Sequence, residues 1–516
     1  MLKKCKHSLV DGLEVIFRKF LEDGNIPDMM KLAFVIPVHK GGSRGLAANF
    51  RPVSLTSHIM KTFERVVREV LVCHLEANSK LNPKQHGFRN RRSCLSQLLE
   101  HHDQILSILE EGHNADSIYL DFAKASDKVD TGILCHKLRS MGISGKLGIF
   151  LHNFLSNRKQ SILANGKKST LSNVRSGVPQ GTVLGPILFL ILINDIIEEI
   201  ISKVSLFADD TRILRAVDTE ADVEALQADL DRIYSWQEIN NMEFNSKKFE
   251  VMRYGRNQTL KESTLYLTPN WEDIIEEKES LRDLGVIVSN DASFSNHVEH
   301  VCSKVKQKSG WILRTFRNRK SWFLKLMWKA LVQPHVDYCS QLYFPHLSTQ
   351  MQKIENLQQV YTKKIPEVSQ LNYWERLKSL RIYSQERRME RYRILYAWTI
   401  LEGISPNCGL VCINSDRRGR EIQIPAIKGK GKIQTLREAS FQVHGAKLFN
   451  SLPKSIRNLK KISVEEFKSK LDHYLESIPD EPHLNGYVPT TCDQLSGSPS
   501  NSILDHARTD RSRRPG

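Results

Sequence analysis

Two adjacent acids, Asp209 and Asp210, lie between two short apolar runs, and they constrain this chain more than any other feature of its sequence. The run 204–207 precedes them and the run 211–214 follows, a pattern that predicts two strands joined by a turn. Adjacent carboxylates on a tight turn repel each other, and folding gives no reason to place them there. Because a divalent cation would offset that repulsion, the segment predicts a metal site of the kind that supports phosphoryl transfer. A solvated acidic turn is the alternative.

A second acidic position has a matching context earlier in the chain. Asp121 follows the β-prone run 117–120 and precedes Phe122. A two-metal site takes carboxylates from separate strands, which bridge ions about 3.5–4 Å apart. We therefore expect the strand that ends at Asp121 to lie beside the strands that carry Asp209 and Asp210.

The composition favours a polyanionic partner. The 516 residues include 75 Lys and Arg against 58 Asp and Glu, which gives a formal net charge of +17. Such a surplus is typical of proteins that bind nucleic acid, and a generally basic soluble protein is the alternative. The length corresponds to two or three domains, and the 40% hydrophobic content is sufficient for their cores.

The sequence has the features of an intracellular protein without a membrane segment. Its nine cysteines are odd in number and follow no framework spacing, which indicates reduced thiols. Cys408 and Cys412 lack a second ligand pair nearby, which argues against zinc. The N-terminus shows no signal-peptide pattern. The most apolar run, 183–193, is interrupted by Gly185 and Pro186 and is too short to span a bilayer.

Hydrophobic periodicity divides the chain into an α/β half and a helical half. After about residue 295 the pattern is almost wholly helical, and the final segment 481–516 is expected to be disordered. Helices are expected at 9–30, 59–75, 95–109, 186–201, 220–236 and 464–475, and strands at 32–38, 117–122, 249–254 and 283–288.

Seven short motifs occur in order along the first 290 residues. They are PVHK at 37–40, NFRPVSL at 49–55, QHGFR at 85–89, LDFAKASDKVD at 120–130, GVPQGTVLGP at 177–186, FADD at 207–210 and FNSKK at 244–248. In order and spacing they resemble the reverse transcriptase of non-LTR (LINE-type) retrotransposons, jockey-like in character. The resemblance covers most of the chain and is weaker after about residue 370.

The resemblance implies an α+β, right-hand polymerase fold with fingers, palm and thumb, followed by a mostly helical C-terminal region. The reverse transcriptase domain itself is expected over about 30–290. The expected parts are fingers with N-terminal helices at 1–110, a palm with an antiparallel sheet at 111–290, a basic helical thumb at 291–370, a helical region at 371–480 and the disordered tail at 481–516. Lysines and arginines interleaved with aromatic residues would let the thumb contact nucleic acid. A helical bundle with a solvated basic face is the alternative.

The resemblance also assigns catalytic roles. Asp121, Asp209 and Asp210 would hold two Mg²⁺ ions, with Mn²⁺ as an alternative, for nucleotidyl transfer onto a primer 3′-OH. Lys248 resembles the lysine that protonates the leaving pyrophosphate, and Lys247 beside it is the alternative.

Further positions are assigned to the nucleotide and the template. Each has an ordinary structural alternative, such as a solvated basic loop or simple turn packing. The nucleotide-binding candidates are Lys40, Arg51, Gln180, Ser126 and Phe122, and the template-binding candidates are Gly87, Phe88 and Arg89. Arg51 is the stronger phosphate ligand of its pair, because a guanidinium binds phosphate oxygens bidentately.

Ser126 is a departure from the family pattern. The family usually has an aromatic residue five positions after the first catalytic aspartate, and that ring blocks the 2′-OH of a ribonucleotide. Serine leaves room there, so we expect weak discrimination against ribonucleotides if the enzyme is active. Drift in a decaying element is the competing explanation, and Thr131, where the family often has histidine, points the same way.

The expected function is RNA-directed DNA synthesis by a mobile element, with an RNA template, a DNA primer or target and dNTPs as partners, and no membrane. A catalytically decayed nucleic-acid-binding protein and an RNA-templated RNA polymerase are the alternatives. The fingers motifs begin near residue 32, so no upstream endonuclease domain is expected. The expected location is the nucleus, a cytoplasmic ribonucleoprotein or both, and no feature of the sequence specifies an oligomeric state.

Overall fold

The structure, a computed structural model, describes residues 5–255, 265–269, 273–415, 419–482 and 502–504. The first half contains two five-stranded sheets surrounded by helices, and the second half is mostly helical. The predicted α+β class is therefore confirmed.

The first half alternates helices with strands. Its helices are α1 (Lys6–Asp23), α2 (Asp28–Lys31), α3 (His58–Ala77), α4 (Cys94–Glu110), α5 (Ala125–Lys128), α6 (Thr131–Ser140), α7 (Gly145–Leu155), α8 (Gly185–Leu192) and α9 (Glu220–Ile239). Its strands are β1 (Leu32–His39), β2 (Phe50–Leu55), β3 (Ala115–Leu120), β4 (Lys159–Ala164), β5 (Lys167–Lys168), β6 (Ser172–Asn173), β7 (Lys203–Phe207), β8 (Asp210–Ala216), β9 (Glu250–Tyr254), β10 (Glu276–Glu277), β11 (Ser280–Asp283) and β12 (Val286–Ser289).

The second half consists of helices and one further hairpin. The helices are α10 (Ser295–Thr315), α11 (Ser321–Met327), α12 (Gln333–Asp337), α13 (Ser348–Thr362), α14 (Tyr373–Leu380), α15 (Gln385–Leu401), α16 (Gly431–Ala439), α17 (Ala446–Ser451), α18 (Lys454–Arg457) and α19 (Val464–Glu476). The hairpin is β13 (Cys412–Ser415) and β14 (Gly419–Ile422).

Two sheets position the side chains discussed below. In the edge sheet the order is β2-β1-β4-β5, with β6 also on β4, and β1 pairs antiparallel with β2 and parallel with β4. In the central sheet the order is β10-β9-β3-β8-β7, and β3 is antiparallel to both of its neighbours. The strands of Asp121 and of the acidic pair are therefore neighbours, as expected.

Several element boundaries differ from the sequence expectation. Helix α1 ends at Asp23 rather than near residue 30, because Gly24 follows in the left-handed conformation with φ 63°. Helix α8 ends at Leu192 rather than Ile201. Just beyond it, the Asn194 side chain accepts from the Asn82 amide at 2.8 Å, which favours a turn over further helix. The single strand expected at 283–288 is instead divided by a turn: Asp283 ends β11, residues 284–285 form the turn, and residues 286–288 belong to β12.

Two large hydrophobic cores form, one in each half of the chain. The first lies under the central sheet and includes all of the buried apolar side chains of α8. The second joins the helices after residue 294, and Leu98 and Leu99 of α4 belong to it. Among the described residues, no helix combines the length and apolarity needed to cross a membrane. The eight cysteines within the described ranges are free thiols.

The predicted disorder of 481–516 concerns residues that lie mostly outside the described ranges. Residues 502–504 are described, and they pack on the helical core with Ile503 fully buried. At this point the tail is therefore part of the fold.

Candidate active site

A cleft of about 1310 Å³ opens between the edge sheet and the central sheet. Most residues that the sequence assigns to chemistry line it, while Gly87 and Arg89 do not. The lining includes Lys40, Arg51, Phe88, Asp121, Phe122, Ser126, Gln180, Asp209, Asp210 and Lys248.

The central sheet brings the three acids together. Leu120, the last residue of β3, pairs with Thr211 of β8, so Asp121 and Asp210 extend from adjacent strand ends. Phe207 pairs with Asp210 across a two-residue turn, and Ala208 in that turn has φ 54°. A tight hairpin turn requires this left-handed conformation, which costs energy for a residue other than glycine. The turn places Asp209 directly at the cleft.

The acids of the cleft repel one another. Burial, followed by repulsion from Asp209, raises the pKa of Asp210 to about 6. Burial also raises the pKa of Asp209, and the charge of Asp121 contributes to that rise. A positive group in the cleft would be stabilised by this arrangement.

Lys248 supplies such a positive charge in this structure. Its ammonium forms an ion pair with Oδ2 of Asp121. Across the described ranges, no group of three or more His, Cys, Asp or Glu side chains is arranged to hold a metal ion as it stands. At the cleft, the carboxylate of Asp121 is instead paired with the Lys248 ammonium. The donor set itself fits a hard divalent cation, because it consists of carboxylate oxygens that repel one another.

A buried ion pair lies near Asp210, and both of its residues line the same cleft. The guanidinium of Arg212 pairs with Asp283 of β11, and the two side chains are 2% and 3% exposed. This pair joins the second strand of the acidic hairpin to the β11–β12 hairpin. The positive charge of Arg212 partly opposes the rise in the pKa of Asp210. The sequence analysis missed this pair, because nothing local connects positions 71 residues apart.

The turn that carries Gln180 is fixed to the edge sheet. The amide N of Ser54 in β2 donates to the Gln180 carbonyl at 2.7 Å. Gly181 has φ 110°, and a Cβ there would lie 2.7 Å from the Ser54 carbonyl oxygen, so a side chain is excluded. The Gln180 side-chain amide donates to Asp127 Oδ1 at 2.9 Å. The turn is therefore held by its backbone and by its side chain.

The two candidates that follow Asp121 occupy different positions in the cleft wall. The Phe122 ring is buried and stacks on Phe244, with ring centroids 4.2 Å apart. It supports the strand end from within the core. The backbone carbonyl of Ser126 accepts from Val178 N at 2.8 Å, and the residue lines the cleft.

The segment 85–89 divides into residues with different roles. Phe88 is 52% exposed and lines the cleft. Arg89 is directed away from the cleft: its guanidinium binds both oxygens of Glu76 and the Asn82 carbonyl, and its side chain is only 9% exposed. A direct template contact by Arg89 does not agree with this geometry, because the planar guanidinium is already held within the fold.

Gly87 has a packing role in the same segment. A Cβ on Gly87 would lie 2.4 Å from the Ala208 amide nitrogen, so only glycine lets this segment approach the acidic turn. The expected template contact of Gly87 stays a prediction for its backbone.

Gln85 is a residue of this segment whose role the sequence analysis did not identify. It is 2% exposed, and its side-chain oxygen accepts from the Ala208 amide at 2.8 Å. The available signal was its place in the QHGFR motif.

Comparisons with known proteins give one consistent family. The family described as reverse transcriptase (RNA-dependent DNA polymerase) matches residues 38–288. The RNA-directed DNA polymerase from mobile element jockey of Drosophila melanogaster is 26% identical over 367 residues. The corresponding protein of Drosophila funebris is 28% identical over 373 residues. Each alignment covers 68% of this chain and 39% of the relative, so the chain spans about two fifths of the length of these proteins.

Apo telomerase from Candida tropicalis is among the solved structures that the chain matches. It aligns with a TM-score of 0.40 and 11% sequence identity, over 77% of this chain and 67% of that chain.

Proposed function

We propose that this chain, whose residues 38–288 match the reverse transcriptase family, has a right-hand polymerase fold and is an RNA-directed DNA polymerase of a mobile element. One observation carries the proposal: Asp121, Asp209 and Asp210 share one cleft with the basic side chains of Lys40 and Arg51. Mutually repelling acids near phosphate-binding cations suit the transfer of a nucleotide from a triphosphate to a primer 3′-OH.

The three carboxylates would hold two Mg²⁺ ions, with Mn²⁺ as the alternative, because hard cations take oxygen ligands. When bound, the metal supplies Lewis acidity at the phosphoryl oxygens and lowers the pKa of the primer hydroxyl. In that arrangement the Lys248 ammonium leaves Asp121. Its side chain is 62% exposed, so it can turn into the cleft without disturbing the core.

The basic residues of the cleft then act on the triphosphate. Arg51 lies close enough to Asp209 for its charge to oppose the rise in the pKa of that acid. It would bind the triphosphate oxygens bidentately, with Lys40 beside it. Lys248 would donate a proton to the oxygen of the departing pyrophosphate. The Gln180 turn would position the nucleotide sugar, and Phe88 would contact the template base.

The partners that we propose are an RNA template, a DNA primer or target and dNTPs. The helices in 291–370 would form the thumb, where Trp311 and Trp322 are 44% and 60% exposed among basic residues. Exposed aromatic rings beside lysines and arginines suit contacts to bases and phosphates. Synthesis at a chromosomal target would take place in the nucleus, and assembly with the template RNA would form a ribonucleoprotein in the cytoplasm.

Extension of a DNA primer on an RNA template, with dNTPs and Mg²⁺, tests the proposal. The wild-type chain should add nucleotides, and Asp209→Ala should not. Asp231→Ala is a matched control, since Asp231 lies on α9 and is not part of the cleft lining. Extension that survives Asp209→Ala would overturn the assignment of the acids. RNA binding without extension by the wild type would favour the nucleic-acid-binding alternative.

Ser126 supports a second prediction about the same site. Its small side chain lines the cleft where the family has an aromatic ring, so the enzyme should accept ribonucleotides readily. Ser126→Phe should raise the preference for dNTPs over rNTPs by about tenfold or more, an effect of about 1.4 kcal/mol on the transition state. If Ser126→Phe leaves the ratio of kcat/KM for dNTP to kcat/KM for rNTP unchanged in single-nucleotide extension, Ser126 does not determine the choice of sugar. If rNTPs are used better than dNTPs on the same template, the RNA polymerase alternative gains support.

A further inference from the structure

We propose that Gln85 is a positioning residue that fixes the catalytic turn at Ala208–Asp209, an inference that rests on the proposed polymerase function. Its side-chain oxygen accepts two backbone hydrogen bonds, from Gly87 N at 2.7 Å and from Ala208 N at 2.8 Å. A single buried oxygen thus ties together two turns that come from distant parts of the chain.

Both turns are conformationally demanding. Ala208 has φ 54°, and Phe88, which follows Gly87, has φ 53°. Non-glycine residues persist in this region only when their surroundings hold them there. The two hydrogen bonds to the Gln85 side-chain oxygen help to hold both turns in this conformation. Because Ala208 immediately precedes Asp209, the geometry of this turn sets the position of the Asp209 carboxylate.

The backbone of the same segment brings Gln85 into place. His86 N donates to the Leu206 carbonyl at 2.8 Å, and Leu206 N donates to the Lys84 carbonyl at 3.2 Å. Gln85 thereby forms a parallel bridge with Leu206 in β7. The ladder ends just before the turn, and the side chain of Gln85 continues it by one bond to Ala208.

The orientation of the Gln85 amide follows from its two donors. Backbone N–H groups cannot bond to an NH₂ group, so the oxygen must face them. The Nε2 atom has no hydrogen-bond partner among the described residues. The function of this side chain is therefore to accept hydrogen bonds. A glutamate carboxylate could accept the same two bonds. Methionine keeps a similar length and lacks a comparable acceptor.

Loss of the acceptor should affect the chemical step more than substrate binding. Two buried N–H groups would be left without a partner, and the turn would relax around Asp209. A displacement of about 1 Å at a catalytic group can cost roughly 100-fold in rate. The nucleotide contacts of Arg51 and Lys40 lie on the edge sheet, so KM should change little.

The experiment compares Gln85→Met and Gln85→Glu with Gln97→Met. Gln97 is a matched control because it is fully buried on α4, and neither polar atom of its side chain has a hydrogen-bond partner among the described residues. Two readouts are used, amide hydrogen exchange in the chain without substrates and single-nucleotide extension kinetics.

In the wild type, the amides of Gly87 and Ala208 should exchange slowly. Gln85→Met should speed their exchange by about tenfold or more and lower kcat by roughly 100-fold, with KM within about threefold. Gln85→Glu should retain the slow exchange and most of kcat, and Gln97→Met should retain both.

Three results would overturn the proposal: fast exchange at both amides in the wild type, wild-type protection in Gln85→Met, or an equal loss of kcat in Gln97→Met. If Gln85→Met fails to fold, the wild-type exchange rates and Gln85→Glu still decide, since a fully active Gln85→Glu with unprotected amides would contradict the proposal. The exchange measurement needs no catalysis, so a wild type that extends no primer would refute the polymerase function without affecting the test of Gln85.

Discussion

Acidic side chains are buried in two parts of this molecule, and the two parts differ in what the carboxyl groups contact. At the cleft, burial and repulsion between neighbours raise the pKa of Asp210 to about 6. In the helical second half, Glu390 is fully buried, but it accepts from Ser502 Oγ at 2.6 Å and from Ile503 N at 3.1 Å. Burial, followed by repulsion from Glu386, raises the pKa of Glu390 as well, to about 8, but this carboxyl group is held by donors from its own chain. The raised pKa is common to both regions, so the difference lies in the partners: the acids of the cleft face one another, whereas the buried acids of the helical half accept hydrogen bonds that hold elements together.

Glu355 shows the structural case a second time. It is 1% exposed, and its carboxyl group accepts from the Tyr373 hydroxyl and from Gln385 N at 2.8 Å. These donors come from the helices that follow α13, so the acid joins three elements of the second core. The contrast with the cleft gives four tests.

The largest expected effect is at the cleft. Asp210→Asn should reduce nucleotide incorporation by roughly 10³-fold or more, about 4 kcal/mol in transition-state stabilisation, because it removes one of the three carboxylates. The melting temperature should stay the same or rise, since the raised pKa means that the charge of Asp210 opposes folding. Primer extension and thermal unfolding measure the two effects. A clear fall in the melting temperature of Asp210→Asn would contradict the prediction that the charge of Asp210 opposes folding.

Glu390→Ala should have the reverse profile. It leaves the donors of Ser502 and Ile503 buried without their acceptor, so the free energy of unfolding should fall by about 3 kcal/mol. The KM for dNTP should not change. Urea unfolding measures this loss of stability. The control is Glu438→Ala, on the exposed face of α16. An equal loss of unfolding free energy in Glu390→Ala and Glu438→Ala would show that the contact of Glu390 with Ser502 and Ile503 contributes nothing to stability.

The pH dependence of stability should report on a buried acid of the helical half. Burial raises the pKa of Glu355 to about 8 from its ordinary 4.5. Between these values the folded chain keeps a proton that the unfolded chain releases, so stability should fall as the pH rises, by up to about 1.4 kcal/mol per pH unit. Glu355→Gln should make this decline shallower. Urea unfolding at about pH 5.5, 6.5 and 7.5 measures it, and parallel curves for the two proteins would contradict the prediction.

The smallest expected effect concerns Arg89. It belongs to the QHGFR motif, but its side chain is held within the fold and does not line the cleft. Arg89→Ala should lower the free energy of unfolding by about 1–3 kcal/mol, because Glu76 and the Asn82 carbonyl lose their donor. Template affinity should stay within about twofold. Equilibrium binding of a primed RNA template measures this, with Phe88→Ala as the variant expected to weaken it. A large loss of affinity in Arg89→Ala would return this residue to the template site.

The features that sequence could predict are those with a local cause. Alternating apolar residues on both sides of Asp209 and Asp210 predict the hairpin, and the run that ends at Asp121 predicts its neighbour. Helices α3 and α9 follow their periodicity closely. In each case the pattern that decides the element lies within the element.

The rest depends on partners that are distant in sequence. The Arg212–Asp283 pair, the bond from Gln85 to Ala208 and the docking of Ile503 on the helical core each join remote segments. No local pattern states which polar residue will find a buried partner. Phe88 of the same motif lines the cleft, and its template contact stays a prediction. The motif could not show that the side chain of Arg89 is held by Glu76.

The strand order of the central sheet has a consequence for synthesis of the chain. Strand β3 leaves the ribosome first but lies between β8 and β9, which are made about 90 and 130 residues later. Until then both of its hydrogen-bonding edges are open, and the segment is exposed to pairing with other chains. The acidic cleft therefore cannot assemble progressively during translation. It forms in one late step, when residues up to 254 have been made, and these non-local pairings should make that step slow.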